Sequence, residues 1–137
     1  MNFGQSVERY FDTILIDAPC SGSGVWRRNP EAKWRLSADR LQSYTVTQLN
    51  LLKAGAGALK VGGRLVYITC SILNEENRGL VDQFLALRGG EFELISPLND
   101  WKRVTKQSLP VPVKDLQLTP RQHHTDGFYI AILAKKL

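Results

Sequence analysis

Apolar residues along this chain gather in short runs stopped by polar or turn-forming residues, and the two clearest runs end in thiols. Ile14-Leu15-Ile16 is short and rich in β-branched residues, the pattern of a parallel strand buried on both faces. It stops at Asp17-Ala18-Pro19-Cys20-Ser21-Gly22-Ser23-Gly24. Arg64-Leu65-Val66-Tyr67-Ile68-Thr69-Cys70-Ser71 repeats the arrangement, so the two cysteines close two strands. Between them Ser37 suits a helix N-cap, with Asp39 in the first turn, and Leu41, Tyr44, Leu51, Leu52 and Leu59 recur near helical spacing. The pattern predicts a helix over 37–60, stopped by Gly62-Gly63. A strand, helix, strand unit is almost always right-handed with its strands parallel, which puts Cys20 and Cys70 on one edge of a sheet. In open α/β sheets ligands bind just outside the carboxyl ends of the strands, so Asp17 and both thiols stand where a site is expected.

Beyond Cys70 the pattern predicts a second helix, capped by Asn74 with Glu75 and Glu76 in its first turn and ended by Gly89-Gly90. Leu80, Val81, Phe84 and Leu85 form its apolar face. A short strand over 92–95 follows, then an irregular stretch over 97–122 carrying Pro97, Pro110, Pro112 and Pro120, then a strand over 127–134 and a basic tail. Residues 1–10 are polar and weakly patterned and lead into the first strand without a turn.

Composition narrows the class without deciding the function. At 137 residues the chain is long enough for one domain, and 43% hydrophobic with 23% charged residues is an ordinary soluble balance. No segment approaches the roughly 20 apolar residues of a membrane span. The first residues lack the basic region and apolar run of a signal peptide, which makes the cytoplasm the expected location and free thiols the expected state of the cysteines. The net charge of +5 suits a polyanionic partner. The segment over 25–35 sharpens that reading, because Arg27, Arg28, Lys33 and Arg35 alternate with Trp26 and Trp34. Such loops grip phosphate and stack on bases, although the same pattern also describes tryptophans closing the edge of a core beneath solvated arginines.

Two thiols and an acid at one sheet edge admit few chemistries. A zinc site wants four ligands at short spacings, and the adjacent His123 and His124 are poorly placed to share a metal with either cysteine, so no metal is expected. A cysteine hydrolase would have to take its histidine base from that same late pair, and no motif around either cysteine marks a protease. Buried structural cysteines are the plain alternative, which their placement at two strand ends weakens. No phosphate-cradling glycine fingerprint is present.

Asp17-Ala18-Pro19-Cys20-Ser21-Gly22 and Thr69-Cys70-Ser71 resemble the two signature motifs of the RNA cytosine-5 methyltransferases of the Sun/Fmu, NOP2 and NSUN family. Arg27-Arg28-Asn29-Pro30-Glu31-Ala32-Lys33-Trp34 resembles the basic loop of its bacterial small-subunit ribosomal RNA branch, and Gln48, Leu51 and Leu52 match the helix that follows. Gly62-Gly63-Arg64-Leu65-Val66-Tyr67, Glu75-Glu76-Asn77 and Thr125-Asp126-Gly127-Phe128-Tyr129 are similar to further family segments, with Asn74 where relatives often carry proline.

The resemblance implies an α/β fold: the carboxyl-terminal half of a Rossmann-like S-adenosylmethionine-dependent methyltransferase, with a mostly parallel sheet, flanking helices and an antiparallel last strand. It implies Cys70 as the nucleophile that adds to carbon 6 of cytosine and Cys20 as the thiol that helps release the product. Asp17 would hydrogen-bond the pyrimidine edge. Asp17, Ala18 and Pro19 would line the methionine end of the cofactor, and Arg27, Arg28, Lys33, Trp34 and Arg35 would contact RNA, ribosomal by the branch. Family members carry a glycine-rich loop and two strands ahead of the first motif, so residues 1–137 are expected to form a single partial catalytic domain. Alone it is expected to be inactive and to pair with itself through the uncovered edge of its first strand. A non-catalytic RNA-binding or assembly module on the same scaffold is the other reading.

Overall fold

The computed structural model describes residues 11–88, 90–108 and 113–137; the opening segment of residues 1–10, with Gly89, Pro110 and Pro112, lies outside the described residues. The strands are β1 (Phe11–Asp17), β2 (Leu59–Thr69), β3 (Phe92–Ile95), β4 (Leu116–Leu118) and β5 (Phe128–Lys135). The helices are α1 (Pro30–Arg35), α2 (Ala38–Ala58), α3 (Arg78–Leu87), α4 (Leu98–Thr105) and α5 (Pro120–His123), with 3₁₀ turns at Ser23–Val25 and Asn74–Glu76. The sheet order is β1-β2-β5-β3, and β4 takes the rest of the β5 edge that β3 leaves free. β1 and β2 pair in parallel, whereas β5 is antiparallel to β2, β3 and β4, so four strands share one direction and the last opposes them. This is the mixed α/β, Rossmann-like arrangement that the resemblance implied.

Alternation along β2 sorts the sheet into two faces. Leu65, Tyr67 and Thr69 are fully buried while Val66 and Ile68 are half-buried. Leu65 and Tyr67 pack with Leu52 and Ala56 of α2 and Leu80, Val81 and Phe84 of α3, each large apolar side chain contributing roughly 1.5–3 kcal/mol. The first strand differs from its expectation. Ile16 is buried, but Leu15 is 62% exposed, because α2 covers only the face that carries Ile14 and Ile16. Among the described residues β1 has one strand neighbour and ends the sheet.

Element ends also depart from the pattern, for reasons visible in the backbone. Ser37 caps α2 as expected, its Oγ accepting from the Arg40 amide at 3.2 Å. The helix ends at Ala58, however, and the chain turns straight into β2 at Leu59, a buried strand residue rather than part of the helix face. Gly62-Gly63 therefore does not stop the helix. It lies in a bulge, where the pairing jumps from Phe11 with Leu59 to Thr13 with Arg64, and Gly62 takes a φ of 78° that suits glycine. Asn74 starts a 3₁₀ turn instead of capping α3, and the stretch over 97–122 holds α4, β4 and most of α5 rather than irregular chain.

The carbonyls at the end of α2 are met by a lysine from β5. Lys135, 5% exposed, donates from Nζ to the Ala56 carbonyl at 2.8 Å and the Leu59 carbonyl at 3.0 Å. Lys135→Met keeps the apolar stem and removes the donor, and it is expected to cost about 2 kcal/mol because buried acceptors lose a charged partner. Urea denaturation checks this, and an unchanged midpoint would mean that the lysine does not hold the α2–β2 corner. Among the described residues, no helix is long and apolar enough to cross a membrane.

Candidate active site

Parallel pairing of β1 with β2 brings the two motif loops out side by side. The register continues one residue past the strands, where the Ala18 amide donates to the Ile68 carbonyl at 2.9 Å. Beyond it the Cys20 and Cys70 sulfurs lie 3.3 Å apart, both free and both half-buried. That separation suits a hydrogen bond between a thiol and a thiolate. The Cys70 thiol is lowered to about 7, chiefly because Cys20 donates to its sulfur, against the opposing effects of burial and of Asp17 and Glu76. The Cys20 thiol is pushed up from the usual range, first by the same bond and then by burial. One proton is thus shared unequally, with Cys70 as the sulfur that ionises near neutral pH.

Glycine backbones hold the loops together. The Gly24 amide donates to the Cys70 carbonyl at 2.9 Å, and the Gly127 amide donates to the Gly24 carbonyl at 2.8 Å. A Cβ on Gly24 would collide with the Gly127 carbonyl oxygen, so the two backbones pass at a distance that only glycine allows. The segment ahead of β5 is thereby drawn to the same edge.

Beneath the thiols lies a buried polar cluster. Glu76 is fully buried, and its carboxylate accepts from the Ser21 amide at 2.8 Å, Ser21 Oγ at 2.6 Å, Ser71 Oγ at 2.5 Å and Gln48 Nε2 at 3.1 Å. Gln48 Nε2 also donates to the Pro19 carbonyl at 2.9 Å, and because both neighbours are acceptors the amide can be oriented only this way. Asn77 braces the other side. Its Oδ1 accepts from Thr69 Oγ1 at 2.6 Å, and its Nδ2 donates to the Ser71 carbonyl at 2.8 Å, so the residues on both sides of Cys70 are tied. These bonds engage both polar atoms of the Asn77 side chain and explain why it does not cap α3. Sequence pattern alone makes Glu76 a helix-dipole acid and gives Ser21 and Ser71 no role. The signal it does offer is the serine that directly follows each cysteine.

The remaining expected residues fall into two groups. Asp17 ends β1 with its side chain exposed and without a hydrogen bond or salt bridge to another described residue. Arg27 and Arg28 reach Asp126, next to Gly127, at 3.5 and 2.7 Å, which ties both guanidiniums to the segment ahead of β5. Arg35 pairs with Glu31 and, with Ser21, Arg40 and Tyr44, lines a depression of about 150 Å³. Lys33 and Trp34 sit on α1; Trp34 is 83% exposed, with the Lys33 ammonium 5.9 Å from its ring centre. The tryptophan of α1 therefore does not close the core edge. Among the described residues no group of three or more His, Cys, Asp or Glu side chains could hold a metal ion.

Comparison with known proteins agrees with this fold. The family model described as 16S rRNA methyltransferase RsmB/F matches residues 2–134. The probable ribosomal RNA small subunit methyltransferase B of Synechocystis is 38% identical over 128 residues, covering 90% of this chain and 27% of that protein. The crystal structure of PH0851 superposes with a TM-score of 0.79 at 36% identity, covering 93% of this chain and 27% of the other. The crystal structure of NSun6 from Pyrococcus horikoshii with SFG gives a TM-score of 0.68 at 29% identity, covering 89% of this chain and 29% of that one. The chain thus spans about a quarter of the length of these proteins.

Proposed function

Since this chain belongs to the 16S rRNA methyltransferase RsmB/F family, we propose that it carries the thiol chemistry for methylating carbon 5 of cytosine in small-subunit ribosomal RNA. The observation that carries this reading is the pair of sulfurs 3.3 Å apart at the carboxyl edge of two parallel strands, with Asp17 beside them. Carbon 5 of cytosine is a weak nucleophile. When the Cys70 thiolate adds to carbon 6, the ring double bond is spent and electron density moves to carbon 5. The Asp17 carboxylate accepts from the exocyclic amino group on the pyrimidine edge and holds the ring against the sulfur.

Cys20 enters afterwards. While Cys70 is a thiolate, its bond with Cys20 keeps the Cys20 proton in place. Once the Cys70 sulfur is bonded to carbon that hold is gone, so Cys20 gives its proton to solvent and, as the thiolate, takes the carbon 5 proton. The electron pair of that C–H bond then restores the ring double bond and expels Cys70 as thiolate.

Asp17, Ala18 and Pro19 fit the methionine end of S-adenosylmethionine, since the exposed Asp17 carboxylate has two oxygens, one for the pyrimidine edge and one for an ammonium group. The cofactor, when bound, supplies an electrophilic methyl group. Arg27, Arg28, Lys33, Trp34 and Arg35 give RNA phosphates and bases a basic, partly aromatic approach to the thiols. Replacing Arg27, Arg28 and Lys33 together by alanine is expected to flatten the salt dependence of RNA binding, by about 0.7 in the logarithmic slope for each phosphate that is no longer neutralised. A slope equal to that of the unaltered chain would remove this loop from the RNA surface.

A chimera in which this chain replaces the matching part of the Synechocystis relative tests the function. Incubated with 16S rRNA and S-adenosylmethionine, it is expected to give 5-methylcytosine. A folded chimera that binds RNA without modifying it would favour a binding module instead.

A further inference from the structure

We propose that Glu76 is the positioning residue of the thiol pair: by binding the serine that follows each cysteine, its carboxylate sets the separation of Cys20 and Cys70. This rests on reading the pair as the reacting groups. Ser21 is held through both its amide and its hydroxyl, and Ser71 through its hydroxyl. The two serine hydroxyls also lie 3.4 Å from each other. Each sulfur is therefore one residue from an atom bonded to the same carboxylate. Fixing both loops to one rigid group is how a 3.3 Å separation between residues fifty positions apart can be kept.

The choice of an acid is informative. Every group that faces Glu76 is a donor or can become one, namely the Ser21 amide, the Gln48 amide nitrogen and two hydroxyls, and only a carboxylate accepts from all four. A buried charge is a costly way to join two loops. Here it also carries the same sign as the Cys70 thiolate and opposes its formation. The ionisable groups acting on Cys70 are Cys20 from the loop after β1, Asp17 at the end of β1, and Glu76 from the turn after β2. Of these only Cys20 favours the thiolate, and while backbone bonds from Ala18 and Gly24 tie the loop at either side, Glu76 is the group that grips the residue next to Cys20.

Charge and position thus predict opposite signs for one substitution. If Glu76 acted on Cys70 by charge alone, Glu76→Gln would lower the pH midpoint of Cys70 alkylation. If it positions Cys20, the amide nitrogen of Gln faces two hydroxyls that already accept from the Ser23 and Leu73 amides and whose own protons lose their acceptor, the loops part, and the midpoint rises. The rate of iodoacetamide alkylation against pH, read on the separate tryptic peptides of the two cysteines, decides between them. The unaltered chain should show a midpoint of about 7 at Cys70. In Glu76→Gln the midpoint should rise by about one unit, roughly a tenfold slower reaction at pH 6. An unchanged or lowered midpoint overturns the proposal.

A second arm repeats the substitution in a Cys20→Ala background, where positioning has nothing left to position and the rise should vanish. A rise that persists there overturns the proposal as well. Should Glu76→Gln fail to fold, Ser21→Ala removes one arm of the clamp and should slow alkylation at pH 6 by about threefold, and no change would contradict the role. Neither readout uses RNA or a methyl donor, so failure of the clamp and failure of the methyltransferase reading are separately visible.

Discussion

Cys70→Ala and Cys20→Ala are expected to fail in opposite ways in the chimeric enzyme. Without Cys70 no sulfur adds to carbon 6, carbon 5 stays unreactive, and methyl transfer should fall by on the order of 10⁴ or more with no protein–RNA adduct. Without Cys20 the addition still occurs, but the carbon 5 proton has no base and Cys70 is not expelled, so a covalent protein–RNA species should accumulate. Denaturing electrophoresis of labelled RNA separates the outcomes. The asymmetry follows from the unequal sharing of one proton between the two sulfurs, which leaves Cys70 as the thiolate and Cys20 as the thiol. A Cys70→Ala protein that still traps RNA, or a Cys20→Ala protein that releases methylated RNA at the normal rate, would reverse or abolish the assignment.

The second large effect is on Cys70 itself. A thiol reacts as its thiolate, so its alkylation rate rises with pH and levels off above the folded-state value. The bond from Cys20 lowers that value to about 7, and taking the donor away in Cys20→Ala, where burial, Asp17 and Glu76 still oppose the thiolate, should raise it to the ordinary thiol range of about 8.5 or above. At pH 7 the ionised fraction would drop from about half to a few per cent, more than a tenfold loss of reactivity. The trapped adduct of Cys20→Ala should accordingly form slowly at pH 7 and faster near pH 8.5. A midpoint that stays near 7 would mean that another group ionises Cys70.

The strand-ending thiols were legible because they follow apolar runs at the carboxyl ends of parallel strands, where topology alone puts them together. The closing strand was legible in the same way, as an apolar run with few competing patterns. What sequence hid was mostly long-range polar chemistry. Glu76 reads as a helix-dipole acid, since nothing local reveals that donors from Ser21, Ser71 and Gln48 converge on it. Lys135 reads as part of a basic tail, yet its ammonium is buried against the end of α2. Leu15 reads as core and is exposed, because alternation assigns a strand's faces but not what covers them. The glycine pair at 62 and 63 matched a helix stop and proved to be a bulge, since both tasks need the same backbone freedom.

Trapping the reaction part-way tests the central claim most directly. RNA carrying 5-fluorocytidine at the target position puts fluorine where the departing proton would be, so addition can proceed and elimination cannot. Offered to the chimera with S-adenosylmethionine, it should become covalently attached, and tryptic mapping should find it on the peptide that holds Cys70 and not on the one that holds Cys20. Attachment at Cys20 would contradict the account, as would methylation of ordinary RNA by a chimera that never captures the fluorinated one.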